Sequence, residues 1–214
     1  MGIGIIGAGA IGSNVARLLA KNNIQATIAN SRGPETLAPL VEELGPSIRA
    51  GSAQEAASAD AVVVAVRWVD VEKALRGLPA WNGRIVIDAT NAVEFLDPDS
   101  ADAKDPTNPL AAYGIKVLDL GNKNSSRLLS ELVPGARVVK AFNHLEADLL
   151  SQAPAGGGQR ALFYSGDDAD AKAEVRAIIE QTGSFPVDLG TLDAGAPLIA
   201  PFGALSGVNL VKMA

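Results

Sequence analysis

GIGIIGAGAIGSNVARLLA, residues Gly2 to Ala20, reads as a buried strand joined to a helix through a turn of glycines. Ile3, Ile5 and Ile6 form a short apolar run, suited to a strand covered on both faces of a parallel sheet. Gly7, Gly9 and Gly12 follow in the spacing GxGxxG. The first glycine allows the sharp turn, the second lets the backbone approach a pyrophosphate, and the third lets helix pack on strand. Ile11, Val15, Leu18 and Leu19 then share one face of a helix whose N-terminal amides point at the anion. Gly7, Ala8, Gly9, Ala10, Ile11 and Gly12 are thus candidate dinucleotide-binding residues.

The second strand, Ala26 to Ala29, bears on which dinucleotide. An NAD site places Asp or Glu at its end to accept from the ribose 2′-hydroxyl. Eighteen residues beyond Gly12 this chain has Asn30, then Ser31 and Arg32. A carboxylate there would repel a 2′-phosphate, whereas an amide, a hydroxyl and a guanidinium can donate to it or pair with it. The expected cofactor is NADP(H) over NAD(H), and the bland alternative is a plain polar turn over Asn30-Ser31-Arg32-Gly33.

Composition narrows the remaining classes. Hydrophobic residues make up 48% of the 214 residues and aromatics only 4%, which fits a parallel sheet covered by helices. No linker divides the chain, so one α/β domain is expected, with 1–92 as its dinucleotide-binding half and 113–214 as its sheet-completing, acceptor-binding half. The net charge of -6 argues against nucleic acid or an anionic membrane as partner. With no cysteine and a single histidine, His144, thiol chemistry is removed and a histidine metal site or serine triad is not expected. No metal site is anticipated. No apolar run is long enough for a membrane span, and a strand beginning at Gly2 leaves no room for a signal peptide, so a cytoplasmic protein is the expectation.

Along the chain, Pro34 to Leu44 reads as a helix shifted or kinked by Pro39, Ser47 to Gly51 as a weak strand, and Gln54 to Ala59 as a short helix. Ala61 to Val66 (AVVVAV) reads as a central strand that delivers Val66, Arg67 and Trp68 to the ligand crevice at the carboxyl ends of the strands. Trp68 reads equally as packing under the next helix, and Arg67 as facing solvent. Arg84 to Asp88 is the fifth strand, followed by Thr90 and Asn91, candidates to hydrogen-bond the nicotinamide ribose or carboxamide. From Ala92 to Gly114 the pattern dissolves into an acidic, proline-bearing segment, either a lid or a surface loop. Ile115 to Leu120 reads as a strand, Ser125 to Leu132 as a helix, and Arg137 to Phe142 as a strand ending at Asn143 and His144. Ala161 to Tyr164, a long helix capped by Asp167 or Asp168, and Pro186 to Leu189 close the sheet. The apolar tail from Ala194 to Ala214 suits either a homodimer contact or docking of the last helix on its own sheet.

GIIGAGAIG, NSR, VIDATN and RVVKAFN together resemble the family of deazaflavin-dependent NADP reductases (coenzyme F-420 type), and the likeness runs nearly end to end. The resemblance implies a doubly wound, Rossmann-type, mostly parallel sheet with a small C-terminal extension. It also implies NADP(H) held by the first half and a deazaflavin lying against the nicotinamide. On matching positions it assigns Gly7, Gly9 and Gly12 to the pyrophosphate, Ser31 and Arg32 to the 2′-phosphate, and Ala141, Phe142 and Asn143 to the wall near the nicotinamide. Two positions depart from the family. Arg67 replaces the proline of a Pro-aromatic pair of which Trp68 keeps the aromatic, and His144 stands where members carry a small hydroxyl residue. Both fall where the hydride acceptor sits.

The first functional reading is an NADP(H)-dependent oxidoreductase that passes hydride to a small-molecule acceptor, a deazaflavin or a flavin-like ring. Such a transfer needs proximity and water exclusion more than an acid or base. A second reading is NADPH-dependent reduction of a small carbonyl, imine or quinone, for which His144 is the natural proton donor. Lys140 is a weaker one, because it lies in an apolar strand and can snorkel to an edge. Alternatively His144 caps the short helix that follows. A non-catalytic NADP(H) sensor is the reading from a different class.

Overall fold

The first half runs β1 (Ile3–Ile6), α1 (Ala10–Lys21), β2 (Ala26–Ala29), α2 (Ala38–Leu44), β3 (Ile48–Ala50), α3 (Ala53–Ala57) and β4 (Ala61–Val64). The second half runs α4 (Val71–Leu75), β5 (Ile85–Asp88), β6 (Val93–Phe95), β7 (Ile115–Val117), α5 (Ser125–Leu132), β8 (Arg137–Ala141) and α6 (Ala147–Ser151). It ends with β9 (Gln159–Gly166), α7 (Ala169–Gln181), β10 (Phe185–Asp188), α8 (Leu192–Ile199) and β11 (Val211–Lys212). This structure is a computed structural model and describes residues 1–213.

The main sheet has the order β10-β9-β8-β5-β4-β1-β2-β3, with β11 pairing along β9. From β3 to β8 neighbouring strands are parallel; β9 turns antiparallel to β8, and β10 runs parallel to β9. The strand order reverses between β1 and β4, where a doubly wound sheet opens its ligand crevice. Register makes that edge even: Ile6 lies opposite Ala29 and Val64, Val64 opposite Asp88, and Asp88 opposite Lys140. One row of residues therefore ends the parallel sheet under the crevice.

Both faces of the sheet are covered, as the continuous apolar strands demand. Ile3, Ile5, Val63, Ile85 and Ile87 pack with Val15 and Leu19 of α1 and with Val175, Ile178 and Ile179 of α7. Ile6, Val62, Val64 and Val86 turn the other way, onto Ala56 of α3, Val71 and Leu75 of α4, Leu129 of α5 and Leu192 of α8.

Several expectations are corrected in detail. The fourth strand stops at Val64, so Ala65 to Arg67 already belong to the crevice loop. Pro39 does not kink a helix; it stands in the first turn of α2, after a separate 3-10 turn Pro34–Leu37. Ile115–Val117 is a strand, yet it pairs antiparallel with Val93–Phe95 in a hairpin outside the main sheet, and that hairpin brackets the acidic segment. The strand read at Ala161 to Tyr164 extends over Gln159–Gly166, and Asp168 is the residue that caps α7, accepting from Ala171 N at 2.7 Å. Of the tail, α8 buries Leu192, Gly195, Ala196 and Ile199 against its own chain, and Val211–Lys212 extends the sheet; Ala214 lies outside the described residues.

Candidate functional site

The glycine turn leaves β1 with Gly7 at φ +107, and a Cβ there would stand 2.3 Å from the carbonyl oxygen of Ala65. A Cβ on Gly12 would stand 1.9 Å from the carbonyl oxygen of Gly7. These two glycines are demanded by the protein itself. Gly9 differs: a Cβ there would meet nothing within 4 Å. Its lack of a side chain leaves space in front of the first turn of α1, where no side chain caps the helix. The leading amides of a helix have no intrahelical acceptors and favour an anion. An open approach beside uncapped amides fits a pyrophosphate, while Val66 lies against Gly7, its Cγ1 2.9 Å from where a Cβ there would stand.

At the end of β2, Asn30 is committed to shaping its own turn. Its Oδ1 accepts from Arg32 N at 2.9 Å and its Nδ2 donates to Thr36 Oγ1 at 2.8 Å. Ser31 and Arg32 are exposed. Arg17, Arg49, Arg67 and Arg76 each pair with a carboxylate, whereas Arg32 makes no ion pair among the described residues. Its free guanidinium suits a phosphate.

Beyond β4 the two proposed crevice residues part company with the turn. Arg67 is exposed and donates from Nε to Asp70 Oδ2 at 2.8 Å, so it faces solvent with its own partner. Trp68 packs against the apolar layer of α3, α4 and α5.

The opposite wall is built at the ends of β5 and β8, and its centre is a pair that the sequence reading did not connect. Asp88 and Lys140 are both 0% exposed and meet at 3.0 Å. The Asp88 carboxylate also accepts from Thr90 N at 2.9 Å, Thr90 Oγ1 at 2.6 Å and Ser126 Oγ at 2.7 Å. Lys140 Nζ donates in addition to the Thr90 carbonyl. Burial holds the Lys140 ammonium below the usual lysine range, against the opposing pull of Asp88. Lys140 therefore does not snorkel to an edge, and Thr90 is occupied within the protein, not free for a ribose. The expectation for Lys140 failed because a strand pattern does not show which residue stands opposite in the next strand, while Thr90 bonds back to Asp88 within its own segment.

Above this layer lies an amide pair. Asn91 Nδ2 donates to the Asn143 carbonyl at 2.9 Å, and Asn143 Nδ2 donates to Asn91 Oδ1 at 2.9 Å and to the Ile199 carbonyl at 2.8 Å. With both donors of Asn143 placed, its buried Oδ1 is left without a partner. Between Lys140 and Asn143, Ala141 and Phe142 are buried, and Phe142 adopts φ +65, a strained backbone for a bulky side chain. An unsatisfied buried acceptor beside a strained turn fits a donor such as a carboxamide.

His144 does not fit the role of proton donor. It is 2% exposed, its ring lies 4.6 Å from that of Phe163, and neither ring nitrogen makes a hydrogen bond of normal geometry. Burial pushes its pKa down to about 4, offset only in part by the nearby Ala161 backbone, so at neutral pH it is the uncharged imidazole, a far weaker acid than the imidazolium. Nor does its side chain cap the following helix, whose N-cap is Glu146. Among the described residues no metal-binding cluster of histidine and carboxylates forms, and no helix is long and apolar enough to cross a membrane.

With this geometry in view, residues 2–92 match the family described as NADP oxidoreductase coenzyme F420-dependent. The metalloreductase STEAP3 of Rattus norvegicus is 26% identical over 192 residues, 89% of this chain and 34% of that protein. The chain thus spans about a third of the length of that curated relative. A hypothetical protein, SMa0349, from Sinorhizobium meliloti is 40% identical, with a TM-score of 0.87 over 100% of this chain and 97% of that one. A protein of Arthrobacter sp. FB24, described as an F420-dependent NADP-reductase by resemblance, is 26% identical with a TM-score of 0.73, over 99% and 98% of the two chains.

Proposed function

We propose that this chain, whose residues 2–92 match the family described as NADP oxidoreductase coenzyme F420-dependent, passes hydride between NADP(H) and a deazaflavin or flavin-like ring. The observation that carries this reading is the turn at Gly9, open where Gly7 and Gly12 are closed, set against uncapped helix amides and followed by the unpaired Arg32. Bound NADPH would supply the hydride. The chain's own part is to bind, orient and exclude water. The Gly9 turn and the start of α1 receive the pyrophosphate, Ser31 and Arg32 the 2′-phosphate, and the Asn143 amide faces the nicotinamide end from a wall buried at Ala141 and Phe142.

A planar ring acceptor is favoured over a carbonyl or quinone because the latter needs a proton in the transfer. His144, an uncharged imidazole at neutral pH and 2% exposed, is a poor source of one. Transfer between stacked rings relies on proximity and orientation instead. The metalloreductase relative carries a reductase name on a much longer protein, which agrees with this unit acting as the NADPH-oxidising part of a reduction. The test is steady-state oxidation of NADPH, with NADH as control, offering a deazaflavin, FMN and a quinone separately. Turnover with the deazaflavin or FMN and NADPH supports the reading; turnover with the quinone alone, or equal use of NADH, overturns it.

A further inference from the structure

The strongest feature left unused by the proposed chemistry is the ion pair between Asp88 and Lys140. Taking two charges out of water is costly, and replacing such a pair with apolar residues is often neutral or stabilising. Stability alone is therefore a poor reason for it. Its position is more informative. The two residues lie directly opposite each other in the last row of the parallel sheet, on the strands whose ends form the second wall of the crevice.

Apart from the Ser126 hydroxyl of α5, the contacts of the pair reach the segment that follows β5 on that wall. Asp88 accepts from both the amide and the hydroxyl of Thr90, and Lys140 donates to the Thr90 carbonyl, so every polar group of that residue is fixed from below. The next residue is Asn91, which holds the Asn143 carbonyl and accepts from the Asn143 side chain. Between Lys140 and Asn143 the chain passes through Phe142 at φ +65. A strained conformation persists only where its surroundings over-determine it. Here Lys140 anchors one side of the turn and the amide pair the other. The result is an Asn143 whose donors are consumed and whose acceptor oxygen is buried without a partner.

We propose that Asp88 and Lys140 are positioning residues for the nicotinamide end of the cofactor: the buried pair locks the Thr90–Asn91 segment and the Phe142 turn so that a small shift of the Asn143 side chain brings its buried, unpartnered Oδ1 to the carboxamide as an acceptor. The inference rests on the NADP(H) reading above. It places the pair outside the contacts to the phosphates, which belong to the other wall.

That separation gives a test that needs no hydride acceptor. Binding of NADPH and of 2′-phospho-ADP-ribose, which lacks the nicotinamide, is measured by titration calorimetry on wild type, Lys140→Met and the double variant Asp88→Asn/Lys140→Met. The double variant removes both charges together and keeps the protein folded if the single one does not. We expect NADPH to bind about fivefold to tenfold more weakly, the loss of roughly one hydrogen bond, while 2′-phospho-ADP-ribose is held within about twofold of wild type. Adding Asn143→Ala to the double variant should then cost NADPH little more, because the pair acts through that side chain. Equal weakening of both ligands, no weakening of either, or a full additional loss from Asn143→Ala overturns the positioning role. Wild-type protein that binds neither ligand overturns the cofactor reading itself.

Discussion

The two walls of the crevice solve the same problem with opposite means. The wall at β1 and α1 is made of backbone: Gly7 and Gly12 are closed by neighbouring carbonyls and Gly9 is open. The wall at β5 and β8 is made of side chains from separate strands: a buried ion pair, an amide pair and a strained Phe142. A backbone site is local in sequence and depends on what is missing. A side-chain site is distributed and depends on what is paired, so the two walls should fail differently when broken.

The largest effect is expected where backbone meets backbone. Gly12→Val would drive a branched side chain into the Gly7 carbonyl, already 1.9 Å from a Cβ, and should cost about 5 kcal/mol or prevent folding, read as soluble yield and thermal unfolding. On the other wall, Lys140→Met leaves Asp88 buried and uncompensated, at about 3 to 5 kcal/mol in urea unfolding. Replacing both partners should cost much less. If single and double variants are equally unstable, the wall is not governed by charge pairing.

His144 sharpens the comparison through pH. Its folded pKa of about 4 lies below the ordinary histidine value near 6.5, so the unfolded chain binds more protons between those values. The histidine contribution is therefore fully present above about pH 6.5 and is lost as pH falls towards 4. Relative to His144→Phe, wild type should lose about 2 to 3 kcal/mol between pH 7.5 and 4.5 in urea unfolding. NADPH turnover with the ring acceptor should survive this substitution within about threefold; a loss of about a thousandfold would restore His144 as the proton donor.

Arg32→Ala removes a charged contact from the end of β2. It should weaken NADPH binding by about 1.5 to 3 kcal/mol and leave NADH binding unchanged, as followed by titration. Equal losses would mean that Arg32 does not meet the 2′-phosphate. The smallest stability change belongs to Gly9→Ala, within about 0.5 kcal/mol, since the added methyl meets nothing. NADPH binding should nevertheless fall, and a Gly9→Ala protein that binds NADPH normally would mean that the pyrophosphate does not approach there.

Much of the fold was legible because its signals are local. The isoleucines of β1, the glycine spacing, AVVVAV and the spacing of Val175, Ile178 and Ile179 each state a strand, a turn or a helix face within a few residues. The hairpin Val93–Phe95 with Ile115–Val117 was not legible as such, because its two short strands are separated by an irregular acidic segment and only pairing identifies them. At the site, the glycine turn and the exposed Arg32 could be found in the chain alone. Lys140 reads as a snorkelling lysine in the chain alone because its partners, Asp88 and the Thr90 carbonyl, come from a segment about fifty residues away, whereas Thr90 turns back on Asp88 only two residues before it, a local turn that the strand pattern did not single out. An Asp ending one apolar strand and a Lys inside another was the only signal that could have suggested the pair.

The sequence by itself determined the doubly wound sheet and its phosphate-binding turn, since both follow from periodicity and from residues that lack side chains. Tertiary structure alone decided the second wall, the burial of His144 and the vacant acceptor on Asn143. Burial and pairing are properties of neighbours in space, and the register that sets Asp88 opposite Lys140 exists only once the strands have met.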